Sequence, residues 1–123
     1  MAATFTLRWD AQRPVLREVL GPELWTEQDD SLYMAALLEV LRNAPENGFD
    51  FVSDARAYTM QSERPNDEDI YDIMVRAGCR RLIQVGAKTV VSMQTARVLR
   101  TSAADDMMHI TCGTLDEAEA LLR

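Results

Sequence analysis

The order of strand and helix signals along the chain is the feature that most constrains its fold. Short apolar runs alternate with longer amphipathic segments that begin at capping residues and end at Gly or Pro. After two initial strand signals, the order is β-β-α-β-α-β-α-β-α. This alternation predicts an α/β fold, with a mixed, mainly parallel central sheet and helices on both of its faces. Ligands of such sheets tend to bind beyond the carboxyl ends of the strands, here at 53–66, 86–89 and 112–114.

The first two strand signals lie close together and predict an N-terminal β-hairpin. TFTLRWD places Phe5, Leu7 and Trp9 on one face, and the apolar run VLREVLG follows after the turn-like DAQRP. We expect this hairpin to lie at one edge of the sheet.

Each helix signal has a recognisable start. Thr26 can cap a helix over 26–42, whose apolar face should pack on the sheet: Leu32, Tyr33, Ala36, Leu37, Val40 and Leu41. Asn66 can cap the next helix, which ends at Gly78, and its buried stripe is predicted to be Ile70, Ile73, Met74 and Ala77. Thr89 can cap the third helix, and Thr114 with Glu117 forms a capping box for the last.

Size and charge narrow the class of protein. The 123 residues are predicted to form a single domain, 1–123. A formal net charge of −7 argues against binding to nucleic acid or to an anionic membrane. No apolar run approaches the roughly 20 residues needed to span a bilayer, and the amino terminus lacks the pattern of a signal peptide. We therefore expect a cytoplasmic protein with no membrane span.

The residues that most often carry chemistry are sparse. Cys79 and Cys112 are far apart and form no Cys-x-x-Cys pair, so both are interpreted as small buried side chains. His109 lies within an apolar run, and one histidine with two scattered cysteines makes a zinc site improbable. The Gly-x-Ser-x-Gly motif of a serine hydrolase is absent. We expect no metal, no cofactor and no enzymatic activity.

Several segments resemble the SpoIIAA-like branch of the STAS superfamily, named from sulphate transporters and anti-sigma factor antagonists. The resemblance covers most of the chain and rests on three segments: FDFVSD, GCRRLIQVGA and TLDEAEALL. It implies a non-enzymatic domain that binds a protein or a small ligand, with regulation by phosphorylation in the antagonists.

In those antagonists, a strand ends in Asp and a loop then leads to Asp-Ser-Ser-Gly, where a serine is phosphorylated. Asp54 matches the strand end, and Ser62 falls near the phosphoserine position, so Asp54, Tyr58 and Ser62 mark a candidate ligand or phosphorylation loop. The Asp-Ser-Ser-Gly motif itself is missing, and a phosphate on Ser62 would meet the acidic run that follows it. An alternative role for Asp54 is to bond the backbone of its own turn.

Two other kinds of phosphate-related site share features with this sequence. A two-component receiver domain also places an Asp at a strand end, but the acidic pair that holds its magnesium is absent. Gly86 and Lys88 precede a helix and form a weak candidate anion site. A single Gly cannot wrap phosphates as a Walker loop does, so a plain capped turn is the favoured interpretation.

Charge is segregated along the chain. The segment from Val75 to Arg100 contains six basic residues and no Asp or Glu. On the helix after Thr89, the predicted core face is Val91, Thr95, Val98 and Leu99, and the opposite side carries Val90, Met93, Arg97 and Arg100. Met and Arg are enriched in protein interfaces, so this second face is a candidate partner surface, although scattered exposed apolar residues are common.

Two classes of function remain open, with an enzyme a third and weaker alternative. The first is an interaction or regulatory module that binds a protein partner or a second copy of itself, with a homodimer as the expected state. The second is a carrier for a small apolar or amphipathic ligand between the helices and the sheet. An internal cavity would favour the carrier. A filled core with an exposed apolar patch would favour the interaction module.

Overall fold

The computed structural model describes residues 5–22, 25–58, 67–101 and 107–123. In this part of the chain, five strands and four helices follow one another in the order that the sequence predicts. Their bounds are β1 Phe5–Trp9, β2 Val15–Leu20, α1 Glu27–Leu41, β3 Phe49–Asp54, α2 Asp67–Arg76, β4 Cys79–Val85, α3 Thr89–Thr101, β5 Met108–Cys112 and α4 Leu115–Leu122.

All five strands form one sheet in the order β1-β2-β3-β4-β5. β1 pairs antiparallel with β2, and the other three pairs are parallel. The α/β class, the mixed and mainly parallel sheet and the N-terminal hairpin at its edge are therefore confirmed. β3 is buried along its whole length because it has strands on both sides and helices over both faces.

Alternating side chains divide the sheet into two faces with different coverings. One, the three-helix face, carries Leu16, Phe51 and Leu82, which pack in one core with residues of α1, α2 and α3. The other, the α4 face, carries Val52 and Ile83, which pack with α4. Among the described residues, α4 packs on β4 and β5 and reaches β2 at Val15 and Arg17, so this face is covered less completely towards β1.

The first helix packs on a narrower stripe than the sequence predicts. Thr26 caps α1 in a capping box with Asp29, and Tyr33 and Leu37 are fully buried. Leu32, however, is 55% exposed, so its assignment to the core face was wrong. α1 lies over the β1 edge of the sheet, where one stripe of side chains meets the strands and the flanking positions face solvent.

The starts of the later helices agree with the sequence in part. Gly78 has a φ of 108° and ends α2, whose Ile70 and Met74 are buried; the expected cap Asn66 lies outside the described residues. Thr89 is the first residue of α3, not its cap, because the Lys88 carbonyl already accepts the first helical hydrogen bond, from the Ser92 amide. Thr114 caps α4 and accepts from the Glu117 amide.

None of the helices in the described part of the chain combines the length and the hydrophobicity that crossing a bilayer requires.

Candidate functional site

Asp54, at the end of β3, is occupied by its own turn. Its two carboxylate oxygens accept from Nε and Nη2 of Arg56 at 2.8 Å each, and Oδ1 also accepts from the Arg56 amide at 3.2 Å. The Arg56 guanidinium lowers the pKa of Asp54, more than burial raises it. This geometry matches the alternative in which a strand-ending aspartate bonds its own turn.

Two of the three residues of the candidate loop, Asp54 and Tyr58, lie on opposite sides of the sheet. Asp54 lies on the α4 face, whereas Tyr58 is buried on the other side of the sheet, where it packs with Leu20 and Val91. Ser62 lies outside the described residues. Its candidate role as a phosphorylation site stays a hypothesis from the resemblance.

The strand-to-helix turn at Gly86 and Lys88 has structural partners. The Gly86 amide donates to the Cys112 carbonyl at 2.8 Å, and Lys88 Nζ donates to the Tyr58 carbonyl at 3.1 Å. Both groups therefore tie the turn to neighbouring segments. An anion at this place would have to compete with these two bonds.

A buried row of polar side chains, which the sequence pattern does not predict, crosses the three-helix face. Glu18, Ser53 and Gln84 are paired in register on β2, β3 and β4, and each is at most 5% exposed. The carboxylate of Glu18 accepts from Tyr33 Oη and from Ser53 Oγ, both at 2.5 Å. Hydrogen bonds from hydroxyl groups to both of its oxygens offset part of the free-energy cost of burying this carboxylate.

The other end of the row is centred on Gln84. Its amide nitrogen donates to Thr95 Oγ1 of α3 at 2.9 Å, and its oxygen lies 2.7 Å from Nε2 of His109 on β5. Burial lowers the pKa of His109, which favours the neutral imidazole. A neutral ring that donates from Nε2 to the Gln84 oxygen satisfies both groups, and this gives His109 a structural role.

The space between these polar groups and the helices is small. A cavity of about 30 Å³ is lined by Glu18, Ser53, Tyr58, Tyr71, Gln84 and Thr95, among others. It has room for about one or two water molecules. Among the described residues, this cavity is too small for an organic ligand.

The thiols and the acidic residues show no reactive or metal-binding arrangement in the described ranges. Burial raises the pKa of Cys79 to about 12, and burial also raises the pKa of Cys112. Both are therefore thiols and weak nucleophiles at neutral pH. Across residues 5–22, 25–58, 67–101 and 107–123, no three His, Cys, Asp or Glu side chains are grouped so that they could hold a metal ion.

The outer face of α3 is exposed as its spacing predicts. Val91, Thr95, Val98 and Leu99 are buried against the sheet side. Val90 is 56% exposed and Met93 65% exposed, and the exposed Arg97 and Arg100 lie on the same side of the helix. Arg97 donates to Gln94 of its own helix at 2.8 Å.

Charge is also separated along the helix layer that contains α3. α2 and α3 pack side by side and run in the same direction, since each returns from the end of one parallel strand to the start of the next. Acidic residues occupy the first turn of α2, where Asp69 is exposed, and exposed arginines lie at the other end, at Arg76 and Arg100. We call the exposed side of these two helices the α2–α3 surface. Its residues are Asp69, Arg76, Val90, Met93, Arg97 and Arg100.

Comparison with known proteins gives no relative from which a role could be transferred. No protein-family model matches the chain, and no curated protein matches it. A function therefore has to be inferred from the geometry of the residues themselves.

Proposed function

We propose that this chain is a non-enzymatic interaction module, STAS-like in kind, that pairs with a second copy of itself through the α2–α3 surface. The observation that carries the proposal is the outer face of α3, where two exposed apolar side chains, Val90 and Met93, lie beside Arg97. Met and Arg are enriched at protein interfaces. Burial of the exposed Met93 side chain by a partner would stabilise the complex.

The distribution of charge supports a second copy as the partner. A two-fold axis perpendicular to α2 and α3 reverses their direction in the partner. The basic end of one α2–α3 surface, at Arg97 and Arg100, then faces the acidic end of the other, at Asp69. The same surface is thus complementary to itself. Met93 lies between the two charged ends, and Val90 lies in the first turn of α3, at the acidic end.

The size of the interior supports an interaction module over a carrier. A cavity of about 30 Å³ is far below the roughly 300 Å³ at which small-molecule pockets begin. In the part of the chain that the structure describes, this cavity does not favour a ligand between the helices and the sheet. The carrier alternative therefore has no support on the three-helix face.

Sedimentation velocity over a range of protein concentrations tests the proposal. We expect a dimer for the wild-type chain and a monomer for Met93→Asp, because the substitution places a charge at the centre of the interface. Leu38→Asp is the matched control, since Leu38 is 49% exposed but lies on α1. The control should dimerise like the wild type.

A charge swap tests which ends meet. Arg97→Glu and Asp69→Arg should each weaken the dimer, because each brings like charges together across the two-fold axis. Mixing the two variants should restore dimers, since both pairs of opposite charge re-form in the heterodimer. Equal sedimentation of each variant alone and of the mixture would show that these ends do not meet.

A further inference from the structure

A charged groove lies on the α4 face, on the side of the sheet opposite to the α2–α3 surface. It has a volume of about 480 Å³ and is bounded by Arg8, Arg17, Val19, Val52, Leu115 and Glu119. This volume is within the range of about 300–1,000 Å³ that small-molecule sites occupy. Among the described residues, α4 packs on β4 and β5 and contacts β2 at Val15 and Arg17, so the groove lies beside α4 over the rest of the hairpin.

Most charged groups around the groove already have partners. Asp10 accepts from Arg17 and from the amides of Gln12 and Arg13, and Glu119 accepts from both Arg13 and Arg17 at 2.5 and 2.8 Å. Towards the carboxyl end of the strands, the groove meets a second depression, where Arg56 holds Asp54. These carboxylates have little capacity left to bind a cation.

Arg8 differs from its neighbours because no carboxylate of the described residues pairs with it. Around the two depressions, four guanidinium groups, those of Arg8, Arg13, Arg17 and Arg56, meet three carboxylates, those of Asp10, Asp54 and Glu119. The carboxylate of Glu18 is engaged on the other face. The count leaves one positive charge, at Arg8.

The register of the hairpin places that charge at the groove. Arg8 lies directly opposite Arg17 on the neighbouring strand, so both side chains project from the same face. Arg17 is already paired with Asp10 and Glu119, so Arg8 is the guanidinium of the two that remains available to an anion. Val19, which is 46% exposed, offers an apolar surface next to this point.

We propose that the groove binds a small monocarboxylate with an apolar body. Its carboxylate pairs with Arg8, since the planar guanidinium fork matches a carboxylate, and its apolar part lies on Val19 and Leu115. A single negative charge fits better than a doubly charged phosphate, because one guanidinium is uncompensated and three carboxylates surround the site. This proposal is independent of self-association through the α2–α3 surface.

Titration with octanoate, followed by amide ¹H–¹⁵N NMR, tests the site. We expect saturable shifts at the amides of Val19, Val52 and Leu115. Arg8→Gln should weaken octanoate binding at least about tenfold, as loss of a charge-assisted hydrogen bond predicts. Arg8 is exposed and outside the ion pairs of the described residues, so this variant should fold normally. Arg42→Gln is the matched control, because Arg42 is exposed and follows α1 on the other side of the sheet, and it should bind octanoate as the wild type does.

Three further probes separate charge from apolar contact. Octanol and inorganic sulfate should each bind at least about tenfold more weakly than octanoate, and octyl phosphate should not bind more tightly. Val19→Thr keeps the β-branched shape and should weaken octanoate binding about threefold or more. Shifts confined to α3, or octanoate binding that Arg8→Gln leaves unchanged, would overturn the proposal.

Discussion

Gly86, directly after β4, affects the structure at the ends of both β3 and β4. Its φ of 65° lies in the left-handed region, which other residues adopt at a cost of about 1–2 kcal/mol. A Cβ at this position would also lie 2.3 Å from Cγ of Arg56, the residue that holds Asp54. The absence of a side chain at residue 86 therefore permits the Arg56–Asp54 pair.

We predict that Gly86→Ala lowers the free energy of unfolding by at least about 1 kcal/mol. Gly113→Ala is the matched control, because Gly113 lacks a positive φ and its nearest neighbour is a flexible Glu117 oxygen at 3.4 Å. The control should change stability by less than about 0.5 kcal/mol. Urea unfolding measures both, and equal stability of the two variants would contradict this role of Gly86.

The buried carboxylate of Glu18 gives a second prediction at the scale of single residues. Tyr33→Phe and Ser53→Ala each remove one hydroxyl donor from it, and each should cost about 1–3 kcal/mol of unfolding free energy. Ser92→Ala removes an exposed hydroxyl that bonds within its own helix, and it should be nearly neutral. If Ser53→Ala proved as neutral as Ser92→Ala in urea unfolding, the carboxylate would not depend on that bond.

At the scale of elements, ion pairs join the last helix to the first hairpin. Glu119 of α4 binds Arg13 and Arg17, and Arg17 also binds Asp10 at the end of β1. The amide of Gln12 and then the side chain of Arg17 hold the pKa of Asp10 at about 2, below its ordinary 3.8. Arg13 and then Arg17 likewise lower the pKa of Glu119.

These shifts predict an acid-sensitive link. A group whose pKa is lower in the folded chain stabilises the fold above its unfolded pKa, and that stability is lost as the pH falls through the folded value. For Asp10 the loss spans about pH 3.8 to 2. Asp10→Asn should therefore show a shallower fall in unfolding free energy over this window, measured by urea unfolding at several pH values. Glu46→Gln, at an exposed residue outside the described ion pairs, should keep the wild-type slope.

The periodicity of the elements explains what the sequence could predict. Helix and strand order follow from local patterns and caps, and the exposed side of α3 follows from the helical repeat of Val91, Thr95 and Val98. The inward position of Glu18 could not be deduced. In VLREVL both strand faces carry apolar residues, so an alternation of period two does not tell which face enters the core.

The groove and the buried polar row also depend on contacts that are distant in sequence. Glu119 lies 106 residues from Arg13, and Ser53 lies 35 residues from Glu18. No short sequence motif predicts such pairs. By contrast, the bond from Asp54 to its own turn is local. It can be predicted, because strand-ending aspartates commonly bond the backbone of the turn that follows them.

At the scale of the whole molecule, the two faces of the sheet are covered unequally. In the described part of the chain, three helices cover one face with a small cavity between them and the sheet, and their outer side carries the α2–α3 surface proposed for self-association. One helix covers part of the other face and leaves the groove beside Arg8. The two proposed sites lie on opposite sides of the sheet, so each can be altered without changing the other.

The central claim is that α3 joins two copies of the chain. Sedimentation velocity of the wild type, Met93→Asp and Leu38→Asp at matched concentrations tests it most directly. The account predicts a dimer for the wild type and for Leu38→Asp, and a monomer for Met93→Asp. A wild-type chain that remains monomeric at all concentrations, or a Met93→Asp variant that dimerises like the wild type, would contradict it.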